Sequence, residues 1–133
     1  MPLGLKDMVA KALETVEGIS ARSVREGLDS GEVDIVIDVR EPNEWNAGHI
    51  PGAINVPRGM LELRADPESP AADPALATNQ DARVIVYCLK APGARSLLAA
   101  QTLGTMGYSN VAAMRGGFEE WRAEDLPADQ GVA

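Results

Sequence analysis

What this chain lacks narrows it first. Of its 133 residues, one is cysteine and one is histidine. No intramolecular disulfide can form, a cysteine-rich metal cluster is excluded, and a single Cys beside a single His gives no reason to expect a zinc site. Positive charge is also short: 12 basic residues face 20 acidic ones, for a net charge of −8. Such a surface repels nucleic acid phosphates and anionic lipid headgroups, so neither is an expected partner. No apolar run approaches the ~20 residues that span a bilayer. The start, Met1-Pro2-Leu3-Gly4-Leu5-Lys6-Asp7, has neither the basic region nor the apolar stretch of a secretory signal, and a cytoplasmic location is expected. Repeats, linkers and a second domain are not evident.

The shortage of positive charge sets a condition on function. An anion site in this molecule must be electropositive locally, against the field of the whole. Backbone amides and one or two fixed cations meet that condition because their reach is short.

What is present is a regular alternation. Met8, Val9, Ala12, Leu13 and Val16 recur at helical spacing over 6–16, and Gly18 ends that amphipathic helix. Its apolar stripe suits packing on the domain or contact with a partner. Ser20 reads as the N-cap of a second helix that Gly31 ends. The β-branched run from Val33 to Val39 predicts a strand buried on both faces. Pro42 opens a short helical turn that Gly48 stops, and a very short strand follows around Ile54. Residues 66–83 read as a surface excursion with at most a helical turn. Val84-Ile85-Val86-Tyr87 predicts a second buried strand, Gly93 to Met106 a helix, Asn110 to Met114 a strand, and Gly116-Gly117 the start of a last helix. Strands alternating with helices predict a parallel α/β sheet covered on both faces.

Chemistry concentrates where the second buried strand ends. In parallel α/β sheets ligands bind beyond the carboxyl ends of the strands, and Cys88 stands there, followed by Leu89-Lys90-Ala91-Pro92-Gly93-Ala94-Arg95-Ser96. A turn into a helix aims backbone N–H groups and the positive end of the helix dipole at one spot. Such surroundings shift cysteine pKa values from ~8.5 into a range of about 3.5–7.5 and favour thiolate. Arg95 offers a planar, permanently charged fork, and Lys90 a mobile cation. Read alone, Cys88 is equally a small buried apolar residue. The Lys, Gly, Arg and Ser that follow it favour the nucleophile.

Three motifs in order carry a family resemblance. Asp38-Val39-Arg40-Glu41-Pro42 with Glu44-Trp45 leads into Gly48-His49-Ile50-Pro51-Gly52-Ala53-Ile54-Asn55. Tyr87-Cys88 with Gly93-Ala94-Arg95-Ser96 comes next, and Gly116-Gly117-Phe118 with Trp121 closes the series. Together they resemble the signatures of single-domain rhodanese-like sulfurtransferases over residues 19–127, preceded by the helix in 1–18 and followed by a flexible tail over 128–133. The resemblance implies a three-layer α/β fold with five parallel strands. It also implies that Cys88 takes sulfane sulfur from thiosulfate or a persulfide donor, is held as a persulfide, and passes the sulfur to cyanide or to a small or protein thiol, with no cofactor. Leu89, Lys90, Ala91, Gly93, Ala94, Arg95 and Ser96 would form the anion-binding loop.

Five further residues take supporting roles. Asp38 and Arg40 would orient neighbouring loops, with Arg40 and Glu44 as a plausible ion pair. His49 reads as a hydrogen-bonded structural residue, since a thiolate stabilised by amides needs no base. Arg58 reads as a solvated loop arginine within reach of the pocket rim. Phe118 and Trp121 read as core.

The chain departs from the family pattern in one place. Six residues, Leu89 to Ala94, separate Cys88 from Arg95, where the family's Cys-x2-Gly-x-Arg-Ser has four. Pro92 adds a position with no N–H. The longer loop raises two alternatives: an oxyanion enzyme such as a Cdc25-like phosphatase or an arsenate reductase, and a sulfur-carrier module with little turnover of its own.

Overall fold

The computed structural model describes residues 2–131. Its centre is Val84–Tyr87 (β4), a run of four residues buried along its whole length. It pairs on one side with Ile35–Asp38 (β2) and on the other with Val111–Met114 (β5). Ile54–Asn55 (β3) extends the sheet beyond β2, and Glu17–Ile19 (β1) beyond β5. The order is β1-β5-β4-β2-β3 and every pairing is parallel. The sequence reading expects the four strands from β2 to β5, with slightly longer outer limits. The fifth, β1, falls where the residues read as the end of a helix, because a three-residue edge strand containing Gly18 carries no alternation of its own.

Helices cover both faces, and the parity of β4 decides which residue meets which layer. Val84, Val86 and Cys88 point to the face packed by Leu5–Thr15 (α1), Leu61–Ala65 (α4), Pro74–Ala77 (α5) and Ala94–Thr105 (α6). Ile85 and Tyr87 point to the face covered by Ala21–Ser30 (α2) and Gly117–Ala123 (α7), where Val24, Phe118 and Trp121 pack. Period-two alternation therefore puts the Cys88 side chain against the helix its own loop leads into. The turn over 58–60 and α4 lie in a stretch whose pattern gives no sequence signal. Tyr108 ties that stretch to the core by donating to the carbonyl of Ala65 at 2.7 Å. Burial, with Asp66 and Asp73 nearby, pushes its phenol up to about 12.

Beyond β2 the chain buries a charge pair. Asp38 is fully buried and Arg40 is 3% exposed. The carboxylate accepts from Arg40 Nη2 at 2.7 Å and from Nε at 3.0 Å, and it also takes the Arg40 backbone N–H at 2.9 Å. Arg40 Nη2 donates in addition to the carbonyl of Gly48 at 2.7 Å. The guanidinium lies 4.7 Å from the Phe118 ring centre and 5.6 Å from that of Tyr87. Burial works against the Arg40 charge, but the hydrogen bonds and charge of Asp38 outweigh it and hold the group above its ordinary value. The expected Arg40–Glu44 pair does not form. Residues two apart at a strand end share a face, so Asp38 reaches the guanidinium first, and Glu44 turns to another partner.

The short helix Pro42–Ala47 (α3) follows, with Pro42 in its first turn. His49 lies just beyond that helix. It is 6% exposed, hydrogen-bonded through Nδ1 to the carbonyl of Trp45 at 2.9 Å, and stacked on that ring. Its backbone pairs antiparallel with Asp129, and Gly131 N–H donates to the carbonyl of Asn46 at 2.8 Å. Residues 128–131 of the expected tail thus run along α3, while 132 and 133 lie outside the described residues.

Removing one partner of the buried pair leaves a charge with no counter-charge. Asp38→Ala is expected to lower unfolding free energy by about 3–5 kcal/mol in urea titrations, against less than about 1 kcal/mol for Arg25→Ala in the exposed pair with Asp29. Equal losses from the two variants would contradict this account of Asp38.

Candidate active site

The carboxyl end of β4 delivers Cys88 at 3% exposure into a loop that ends on Gly93, the N-cap of α6. Gly93 has φ +80°, and a Cβ there would stand 3.0 Å from Ser96 Oγ and 3.2 Å from the Arg115 carbonyl. Ser96, buried in the first turn of α6, lies 3.5 Å from Cys88 Sγ and donates to the Gly93 carbonyl at 3.0 Å. A hydroxyl rotates freely enough to accept from a thiol or donate to a thiolate.

The loop is oriented from behind by α7. The carbonyls of Cys88 and Leu89 accept from the N–H groups of Phe118 and Glu119 at 2.9 and 2.8 Å. In a planar trans peptide the N–H points opposite to its carbonyl, so the amides of Leu89 and Lys90 face away from α7. Those two amides, with those of Ala91, Gly93, Ala94, Arg95 and Ser96, donate to no protein acceptor among the described residues. The first turn of any helix leaves some N–H groups free; here the preceding loop adds more, and Pro92 interrupts the series. A depression of about 220 Å³ is lined by residues 88–95. Its lining combines apolar Leu89, Ala91 and Pro92 with Lys90, Arg95 and loop backbone whose unpartnered N–H groups can serve an anion by partial charge.

The cations have distinct placements. Arg95 is held by Glu44, with Nη1 at 2.8 Å from Oε1 and Nη2 at 3.3 Å from Oε2. That pair replaces the Arg40–Glu44 pair read from the sequence. The hydrogen bond to Glu44 holds Arg95 above its ordinary value, against some burial, with the Glu44 charge adding to the effect. Lys90 is exposed beside the loop. Arg58 does not line the depression: it bonds Glu62 at 3.0 Å and Thr102 at 3.2 Å. Asp38, Arg40 and His49 stand behind the site as framework rather than on its wall.

Two features escaped the sequence reading. Gly117 has φ +66°, and a Cβ there would meet the carbonyl carbon and oxygen of Leu89 at 2.5 Å. The double glycine was visible as a helix start but not as the seat of the loop. Arg115, just before it, gave no signal. A larger depression, about 720 Å³, lies at the other end of the sheet, around Asp34, Gln80 and Asp81. Its carboxylates are already engaged, Asp34 by the Arg83 N–H and Asp81 by Ser109 Oγ, both at 2.9 Å. No group of three His, Cys, Asp or Glu side chains among the described residues is placed to hold a metal. Among the described residues no helix is long and apolar enough to cross a membrane.

A parallel five-stranded sheet whose central strand ends in a cysteine, followed by an amide-lined loop and a helix, defines a rhodanese-like domain. The chain belongs to that family: the rhodanese-like domain model matches residues 20–124. It is 32% identical to a sulfurtransferase of Allochromatium vinosum, over 84% of this chain and 94% of that one. It is 34% identical to human thiosulfate:glutathione sulfurtransferase, over 77% and 90%. It is also 33% identical to the probable adenylyltransferase/sulfurtransferase MoeZ of Mycobacterium tuberculosis over 82% of this chain, and spans 25% of that protein's length. A solved structure from Rhodopseudomonas palustris, a protein of unknown function described as a possible tyrosine phosphatase, superposes with a TM-score of 0.86 at 36% identity, over 97% and 96% of the two chains.

Gly117→Ala is expected to cost more than about 1 kcal/mol and to displace the loop, read as faster hydrogen exchange at the amides of Phe118 and Glu119, whose acceptors the loop supplies. Gly104→Ala, in open space within α6, serves as the comparison and is expected to be stabilising by up to about 1 kcal/mol. Matching losses would show that Gly117 is not the seat. The Glu44–Arg95 pair predicts a pH effect. The hydrogen bond from Arg95 holds Glu44 below its ordinary value of 4.5, so its contribution is complete above that value and lost as pH falls through the lower folded one. Glu44→Gln should therefore be less stable than the parent near neutral pH, by less than about 1 kcal/mol for so exposed a pair. The two should converge as pH falls through the folded value, and a gap that persists once the carboxylate is protonated would contradict the assignment.

Proposed function

We propose that this chain is a sulfurtransferase that carries sulfane sulfur on Cys88. The observation that supports it most is the run of unpartnered amides from Leu89 to Ser96, interrupted at Pro92, in the loop that follows a nearly buried sulfur. A site of that kind stabilises an anion at the cysteine and the anionic persulfide that follows. The names of the A. vinosum and human relatives point to the same chemistry.

With thiosulfate as donor, the Cys88 thiolate attacks the outer sulfur, the S–S bond of thiosulfate breaks, and sulfite departs with its electron pair. Cys88 is left as a persulfide anion. An acceptor thiolate then attacks the terminal sulfur, the bond to Sγ breaks, and the Cys88 thiolate is restored. Neither half-reaction changes the net oxidation state or needs a cofactor, and the two together give ping-pong kinetics. In this scheme Ser96 supplies a hydroxyl to the sulfur, Gly93 and Ala94 supply amides, and Lys90 and Arg95 supply positive charge at the rim. Asp38, Arg40 and His49 hold the framework.

Arg95 also bears on the phosphatase reading. A phosphatase loop uses its arginine as a two-pronged clamp on phosphate, and here both prongs are on Glu44.

Intact-mass measurement after incubation with thiosulfate tests the proposal. A gain of one sulfur atom is expected, removed by cyanide and absent in Cys88→Ala. Sulfur uptake only from a persulfidated protein donor would point to a carrier module. Hydrolysis of an aryl phosphate without sulfur uptake would overturn the proposal in favour of the phosphatase.

A further inference from the structure

Arg115 is the arginine that the fold leaves unengaged. Among the described residues Arg22, Arg25, Arg40, Arg58, Arg83 and Arg95 are in ion pairs. Arg64 donates to the carbonyl of Ala71, and Arg122 lies over the Phe118 ring. Arg115 has no ion pair, side-chain hydrogen bond or aromatic ring. Arg64, Arg122 and the lysines also lack an ion pair; what sets Arg115 apart among the described arginines is that no other side-chain contact holds its guanidinium.

Its position is specific. Arg115 follows β5 at the carboxyl edge of the sheet, and its stem lies over Gly18, where a Cβ would meet Cδ at 2.8 Å. Gly18, Ile19, Ser20, Ala91, Pro92, Arg115, Gly116 and Glu120 line a cleft of about 470 Å³. Ala91 and Pro92 line the Cys88 depression as well, so the two hollows share a wall. The Arg115 backbone carbonyl approaches Gly93, one of the loop residues. In the same cleft Glu120 accepts from the Ala21 N–H at 2.7 Å, at the N-terminus of α2, where the helix dipole favours a carboxylate. That bond engages one Glu120 oxygen while the other lies over Gly116, so an anion entering the cleft must seat on Arg115 clear of Glu120.

Size separates the two hollows. The depression at Cys88 is small, suited to the transferred sulfur and a compact anion. A thiol that collects the sulfur must bring its own sulfur to Cys88 while the rest of the molecule lies elsewhere, and the adjoining cleft is of the size that holds small ligands.

Resting on the sulfurtransferase reading above, we propose that this cleft is the acceptor subsite, and that Arg115 selects small thiols bearing a carboxylate. The carboxylate seats on the Arg115 guanidinium, a match of charge and planar geometry. The acceptor thiol releases its proton to solvent, and its sulfur attacks the terminal sulfur of the Cys88 persulfide. The new S–S bond forms on the acceptor as the bond to Sγ breaks. Arg115 is a specificity residue and takes no part in the bond changes.

The test uses the full chain, loaded with thiosulfate and freed of excess donor. Discharge is followed in single turnovers against 3-mercaptopropionate and 2-mercaptoethanol, which differ in the carboxylate. Comparing variants cancels the intrinsic reactivity of the two thiols. Arg115→Gln is expected to raise the half-saturating concentration of 3-mercaptopropionate by about three- to tenfold relative to that of 2-mercaptoethanol. Arg115→Lys should restore part of the difference, and Arg64→Gln, which removes the same charge elsewhere, should match the parent. An equal effect on both thiols, or no effect on either, would overturn the proposal. So would a slowing of thiosulfate loading with the ratio intact, which would assign Arg115 to the donor.

If the parent takes up no sulfur from thiosulfate, the sulfurtransferase reading fails separately, and binding decides the subsite. Titration with 3-(methylthio)propionate should move the amide resonances of Gly18, Ser20 and Gly116 to saturation in the parent and more weakly in Arg115→Gln. Absence of saturable shifts in the parent would overturn the subsite.

Discussion

The site depends on one contact, the seat of two loop carbonyls on the N-terminus of α7. Peptide planarity makes that contact consequential. Turning the carbonyls of Cys88 and Leu89 toward Phe118 and Glu119 turns the amides of Leu89 and Lys90 the other way. The approach is so close that only a residue without Cβ stands at Gly117. An amide-lined hollow around Cys88 therefore owes its existence to a helix thirty residues or so further along the chain, as much as to the loop itself.

A second constraint lies one strand away. Burying Asp38 against Arg40 puts two charges out of water, and their bonds to each other, to the Arg40 amide and to the Gly48 carbonyl offset that cost. The pair fixes the end of β2 relative to the turn after α3. That turn carries the N–H of Ile50, which donates to the hydroxyl of Tyr87 at 3.1 Å. Tyr87 immediately precedes Cys88, and burial, with the Asp38 charge, pushes its phenol well above the ordinary range and keeps it neutral. A chain of packed polar groups thus runs from Asp38 to the strand that presents the sulfur.

Much of this was legible in the residues, for physical reasons. The runs Val33–Val39 and Val84–Tyr87 read as buried strands because both faces of a parallel sheet are covered. Cys88 at a strand end, with Gly93 and a helix following, read as a site because geometry confines ligands to that end of the sheet. Phe118 and Trp121 were read as core, and both are buried. What escaped depended on contacts distant in sequence. Whether Arg40 meets Asp38 or Glu44 turns on side-chain direction at a strand end. That Arg95 belongs to Glu44 is decided by two segments fifty residues apart. β1 is too short for its pattern to speak, and Arg115 stands out only once every other arginine is seen to be occupied.

The pairing of β1 with β5 has a consequence for how the molecule is made. Glu17 lies in register with Ala112 and Ile19 with Met114, so nearly the whole chain must exist before the first strand finds its neighbour. Contacts between remote segments form late, because the loop they close carries a large entropic cost. During synthesis from the N-terminus, α1 and the first strand emerge well ahead of the strand they require. The cleft between Gly18 and Arg115 is bounded by that same pair, and so comes into being only at the end of folding, together with the seat that sets the loop.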